Sequence, residues 1–177
     1  MGSKMRNLLA ALRQGPATRA AAQPQRPSNV VAARELLGFS LPGWQRDVRR
    51  WPVYSCDAKR VGAVDALLVE LQTKRVRYIA VTLDDEALPS PVWGRVLVPV
   101  GAARRVDERG FVVLDTLTAQ QLVEAPRLAV RPVTRSDEDA TLAAFGMLTS
   151  SDLPAGDLYC GPRFDDQALL AADPAAG

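Results

Sequence analysis

The stretch Arg60–Leu83, RVGAVDALLVELQTKRVRYIAVTL, constrains the fold of this 177-residue chain more than any other. Its first apolar run, Ala66–Leu71, alternates Leu67, Val69 and Leu71 with Ala66, Leu68 and Glu70. Its second, Arg75–Leu83, alternates Arg77, Ile79, Val81 and Leu83 with Val76, Tyr78, Ala80 and Thr82. A period of two, rich in β-branched and aromatic residues and broken by the polar Gln72-Thr73-Lys74, predicts a β-hairpin. Both faces of each strand are largely apolar, so both need cover. That places the hairpin in a small barrel or sandwich rather than on an open sheet. Leu67, Val69, Ile79 and Val81 are its expected core. Glu70 breaks the pattern: an acid in an apolar strand has to meet a cation, a hydrogen-bond donor or water. Arg77 stands within a residue or two of it across the hairpin, so an ion pair is expected.

The flanks carry shorter signals. Residues 3–14 place Met5, Leu8, Leu9 and Leu12 at helical spacing, with Lys4, Arg6 and Arg13 around that stripe. Such a basic amphipathic helix suits an anionic membrane surface or a partner's groove, or it packs on its own domain. Residues 15–28, rich in Pro, Ala and Arg, read as an extended linker. Asn29 is placed to cap a short helix from Val30 to Leu37, ended by Gly38. Trp44 and Trp51 then flank an Arg-rich segment that fits either an interface or a core edge. Beyond the hairpin, Asp84–Pro91 reads as an acidic loop and Arg95–Val100 as a third strand, with Pro99 marking an edge or strand end. A turn over Asp107–Gly110 leads to a strand over Phe111–Leu114. Thr118-Ala-Gln-Gln121 has the capping-box pattern for a helix stopping before Pro126. A short strand is expected over Val130–Val133, a helix opening at Ser136-Asp-Glu-Asp139 and running to about Met147, and a weak helix near Asp166–Ala172. The fold class is mainly β with short helices.

Charge is unevenly spread: residues 1–60 carry a net +8, residues 61–135 a net +1 and residues 136–177 a net −7. A basic head and an acidic tail point to different electrostatic surroundings, or simply aid solubility. Histidine is absent, which removes the commonest general base and metal ligand. No phosphate-binding loop, dinucleotide fingerprint, zinc-protease motif or nucleophile elbow occurs, so no enzyme and no metal are expected. Cys56 and Cys160 lie far apart without metal spacing, which fits a reducing compartment. No apolar stretch approaches the ~20 residues of a membrane span, and no export signal opens the chain. A cytoplasmic protein, free or peripheral, is expected.

The ordered set PVYSCDAKRVGAVDALLVEL, KRVRYIAVTL, RVLVPV and TLTAQQLVEAPRL resembles a PRC-barrel domain over about Pro52 to Leu128. Gly62, the LLVEL strand, Val76-Arg77-Tyr78, Leu97-Val98-Pro99 and Ala125-Pro126 carry the likeness. This family of small β-barrels includes the H subunit of purple-type photosynthetic reaction centres and a ribosome-maturation factor. The sequel, LTAQQLVEAP and then TRSDEDATLAAFG, is similar to the tail that follows the barrel in H subunits. The resemblance implies a PRC-type β-barrel with an extended N-terminal arm and a helical C-terminal segment, divided as 1–51, 52–128 and 129–177. It further implies a non-catalytic, membrane-peripheral subunit on the cytoplasmic side of the photosynthetic membrane, binding no cofactor itself. Its partners would be core subunits holding bacteriochlorophyll and quinones, a separate membrane-anchoring helix protein and anionic lipid, with no nucleic acid. Family members carry a proton-passing acid in the turn after the LLVEL-like strand; Thr73 occupies that position here. Glu70 is then the proton-relay candidate, with Arg77, Thr73, Trp44 and Trp51 facing partners and Lys4, Arg6 and Arg13 facing lipid. A free-standing PRC-barrel adaptor for a protein or RNA is the alternative.

Overall fold

The computed structural model describes residues 27–42, 45–84, 94–106, 109–128, 132–153 and 158–171. Within them, seven strands form one antiparallel-dominated sheet: β1 (Val30–Ala32), β2 (Pro52–Tyr54), β3 (Arg60–Glu70), β4 (Val76–Leu83), β5 (Arg95–Pro99), β6 (Ala103–Val106) and β7 (Phe111–Leu114). The order is β5-β4-β3-β2-β7-β6, and β1 adds to the far half of β3. Three helices follow, α1 (Ala119–Glu124), α2 (Arg135–Ala144) and α3 (Gln167–Leu170). The fold is mainly β and barrel-like, as the hairpin demands.

β3 and β4 form the expected hairpin, but β3 starts at Arg60, and Leu71 lies in the turn, 41% exposed. Their register shifts twice. Val64 pairs Val81 while Ala66 pairs Ala80, leaving Asp65 without a partner; Leu68 pairs Tyr78 while Val69 pairs Val76, leaving Arg77 without one. Each bulge re-aims a side chain and puts its neighbours out of simple alternation. Val76 therefore joins Ile79 and Val81 in the main core, and Arg77 does not share their face. That corrects the strict period-two reading of β4. Gly62 is required by close approach: a Cβ there would lie 1.9 Å from the Thr82 carbonyl oxygen.

One core cluster lies inside the curled sheet, where Leu67, Val69, Ile79 and Val81 are at most 1% exposed and meet Val98, Val112, Leu114, Leu122 and Leu170. A second lies on the other face of the hairpin. There Ala66, Leu68, Tyr78, Ala80 and Leu97 meet Val30, Val133, Leu142, Leu158 and Phe164. Gly101 lets the two layers close: its Cβ would lie 1.9 Å from the Pro162 carbonyl oxygen.

Several local expectations change. Val30–Ala32 is a strand, not the start of a helix capped by Asn29; only Ala33–Glu35 makes a 3-10 turn. β-Branched Val30 and Val31 complete the open edge of β3, with Val30 opposite Glu70. Two strands, β2 and β6, come from stretches too short and too mixed to show alternation. Thr118 caps α1 with the expected box, and Arg127 closes its other end by donating to the carbonyls of Leu122, Val123 and Ala125. α2 begins at Arg135, one residue before the expected Ser136, because Thr134 and Asp137 form the capping box, and it ends at Ala144 rather than Met147. Pro132 and Val133 belong to no strand; Thr134 instead makes an isolated bridge with Pro27. The expected weak helix shortens to Gln167–Leu170, whose two leucines enter the main core. The expected helix at 3–14, Lys4, Arg6, Arg13, Trp44 and most of the acidic loop 84–91 lie outside the described residues.

Candidate functional site

The turn end of the β3–β4 hairpin gathers the polar residues singled out from the sequence. Glu70 ends β3 at 6% exposure, and the Arg77 bulge carries its guanidinium to the same place at 8%. Arg77 Nε and Nη2 donate to Glu70 Oε2 at 2.9 and 2.8 Å. Thr73, exposed in the turn, donates to the same oxygen at 2.6 Å and accepts from Arg77 Nη2 at 3.3 Å. Arg77 Nη1 also donates to the Phe164 carbonyl at 3.3 Å, which ties the hairpin to the C-terminal extension. Arg75 does the same through Asp166, at 2.6 Å. A buried charge pair held by three further hydrogen bonds is well satisfied, and Thr73 is its opening to solvent. The expected ion pair is present.

Trp51 is half-buried against the main core and follows the backbone of Val48, so it serves the core edge as well as the surface. Arg95 pairs with the other bulged residue, Asp65, at 3.2 Å. Cys56 and Cys160 are exposed free thiols. Among the described residues no group of His, Cys, Asp or Glu is arranged to hold a metal ion, and no helix is long and apolar enough to cross a membrane.

A second polar centre was not foreseen. Glu138, in the first turn of α2, is 0% exposed. Tyr159 and Tyr78 donate their hydroxyls to its Oε2 at 2.7 and 3.0 Å, Ser28 donates to its Oε1, and Arg135 Nη1 lies 3.4 Å from Oε2. Burial pushes the Glu138 carboxyl above its ordinary range, while the hydroxyls of Ser28 and Tyr159 and the Arg135 charge oppose the shift. Burial also raises both tyrosines well above their usual range, with Glu138 adding to it. The Tyr159 ring lies between two guanidinium groups, Arg77 at 5.5 Å and Arg135 at 5.4 Å. The sequence signal existed: Glu138, Thr141, Leu142 and Phe145 follow i, i+3, i+4, i+7 spacing and are all buried. Placing Glu138 among acids that merely favour a helix start hid it.

The remaining surface of note is the outward side of β2 and β7. Tyr54 and Phe111 stack edge-to-face at 5.1 Å, and with Val113, Cys56 and exposed Arg109 they line a cleft of about 620 Å³.

Residues 45–121 match the family model of the PRC-barrel domain. The match takes in β2 to β7 and the first turn of α1; β1, α2 and α3 lie outside it. A comparison with curated proteins found no match. Over residues 45–121 the chain is similar to the PRC-barrel domain, as the hairpin and its sequel led one to expect, and both polar centres draw on β4 within that match.

Proposed function

We propose that the chain is a non-enzymatic H-type subunit of a bacterial photosynthetic reaction centre, peripheral on the cytoplasmic side of the photosynthetic membrane. In this reading the barrel caps the quinone side of the pigment-binding core subunits, excludes bulk water, and supports proton delivery to the secondary quinone. The bacteriochlorophyll and quinones belong to those partners. The observation that carries it is the Glu70–Arg77–Thr73 cluster: a buried carboxylate, balanced by one arginine, opening to the surface through one hydroxyl at the end of a PRC-barrel hairpin. A carboxylate so placed is linked to the surface by the Thr73 hydroxyl and the Arg77 guanidinium, the hydrogen-bonded connection that a proton path needs. The order of segments, barrel then acid-capped helix α2, matches the tail of H subunits that the sequence resembles. The basic head, with Lys4, Arg6 and Arg13, is expected to meet anionic lipid at roughly 1 kcal/mol per charge, beside a separate anchoring helix protein.

The test is to purify the tagged chain from its own cells. Recovery with bacteriochlorophyll-containing membranes and reaction-centre core subunits is expected; recovery only in the soluble fraction overturns the reading. The outward Tyr54–Phe111 cleft with Arg109 favours a second reading, a free-standing PRC-barrel adaptor whose partner is a protein or RNA. Soluble recovery with such a partner is what that reading predicts.

A further inference from the structure

The Glu138 carboxylate joins three segments far apart in the chain. Ser28 is the root of the N-terminal arm, Tyr78 lies on β4 of the barrel, and Glu138 and Tyr159 belong to the C-terminal extension. Backbone bonds run alongside: Ser28 N donates to the Val133 carbonyl at 3.1 Å, and Leu71 N donates to the Asn29 carbonyl at 2.8 Å. Ser28 Oγ also accepts from Val30 N at 3.0 Å, so its single proton is committed to Glu138. Detaching the arm root would take Ser28 away and open a path for water to a carboxylate that has no exposure in the docked state. We propose that Glu138 is an ionisable clasp that locks the root of the N-terminal arm and the C-terminal extension onto the barrel, and that gaining or losing its proton sets how firmly the arm root stays docked.

The sign follows from burial. Docked, Glu138 holds its proton more tightly than an exposed glutamate does; released, it returns to the ordinary range. Protonation therefore favours the docked state, and ionisation loosens it. The groups facing Glu138 from each element do not titrate in this window. Tyr78 from β4 and Tyr159 from the extension are raised further from neutrality, Arg135 on its own helix is raised as well, and Ser28 is neutral. Arg77 stands behind the Tyr159 ring. The clasp thus couples solvent acidity to the docking of Pro27 and Ser28, whichever partner covers the barrel.

The test is amide hydrogen exchange on the full chain across pH, corrected for intrinsic exchange and compared with β4 amides such as Val81. In the wild type, protection at Ser28 and Leu71 relative to Val81 is expected to fall as pH rises above the ordinary glutamate value. The fall should approach tenfold per pH unit and then level off at the docked value of Glu138. E138Q, permanently neutral, should give a flat ratio. Ser28→Ala and Tyr159→Phe each remove a donor to the anion, so the levelling-off should move to higher pH, which keeps the test open if E138Q does not fold. A ratio that is flat in the wild type, or an E138Q or donor-variant profile that follows the wild type, overturns the proposal.

Discussion

The two faces of the β3–β4 hairpin share the same backbone and differ in almost everything else. The inward face presents Val64, Leu67, Val69, Ile79 and Val81 to a core made wholly of apolar side chains. The outward face presents the small Ala66 and Ala80, the phenol of Tyr78, and a margin of Glu70 and Arg77, all covered by segments from both ends of the chain. Inward contacts are non-directional, so many aliphatic sets would serve. Outward contacts are directional, and each buried oxygen depends on named donors. The inward face holds the barrel together; the outward face carries the segments from both ends of the chain that pack on it.

The largest expected effect lies on the outward face. Arg77→Leu leaves Glu70 buried without its cation and should lower stability by about 3–5 kcal/mol in urea unfolding, with most of the loss recovered in the Glu70→Leu/Arg77→Leu double variant. An unchanged midpoint in the single variant would mean that water already serves Glu70. On the inward face, Leu67→Ala should cost about 2–5 kcal/mol, with no dependence on pH. Should Leu67→Ala alter the pH profile, the separation of the two faces fails. Thr134→Ala removes the cap of the helix that carries Glu138 and should cost about 1 kcal/mol; a loss near zero would detach the cap from the clasp. The smallest effect is a slope. Because Glu138 titrates higher in the folded chain, its contribution is full below about pH 4.5 and is lost as pH rises through the raised value. Wild-type stability should decline across that window by about 1.4 kcal/mol per pH unit at most, and E138Q should remove the decline, as read by thermal unfolding at fixed ionic strength.

The difference between the faces also explains what was legible in the sequence. Period-two alternation identified Leu67, Val69, Ile79 and Val81 as core, because burial against an apolar layer writes itself into residue type every second position. The same alternation misplaced Val76 and Arg77, since a bulge inserts one residue and leaves no mark in composition. Glu70 stood out because it violated its surroundings. Glu138 did not, because an acid in a first helical turn has an ordinary explanation in the helix dipole, and its partners Ser28, Tyr78 and Tyr159 are distant in sequence. β1 was hidden for a related reason: Val30–Ala32 is a strand only because β3 offers it an edge. Local preference shows in local sequence; the pairing of distant segments does not.

If the chain is the reaction-centre subunit proposed above, the most direct measurement is flash-induced proton uptake in reaction centres carrying Glu70→Gln, a change that keeps the shape of the side chain and removes its carboxylate. The account predicts normal assembly with the core subunits, together with slower proton-coupled transfer of the second electron to the quinone. Normal uptake kinetics in fully assembled complexes would contradict it and leave Glu70 as the structural partner of Arg77 alone.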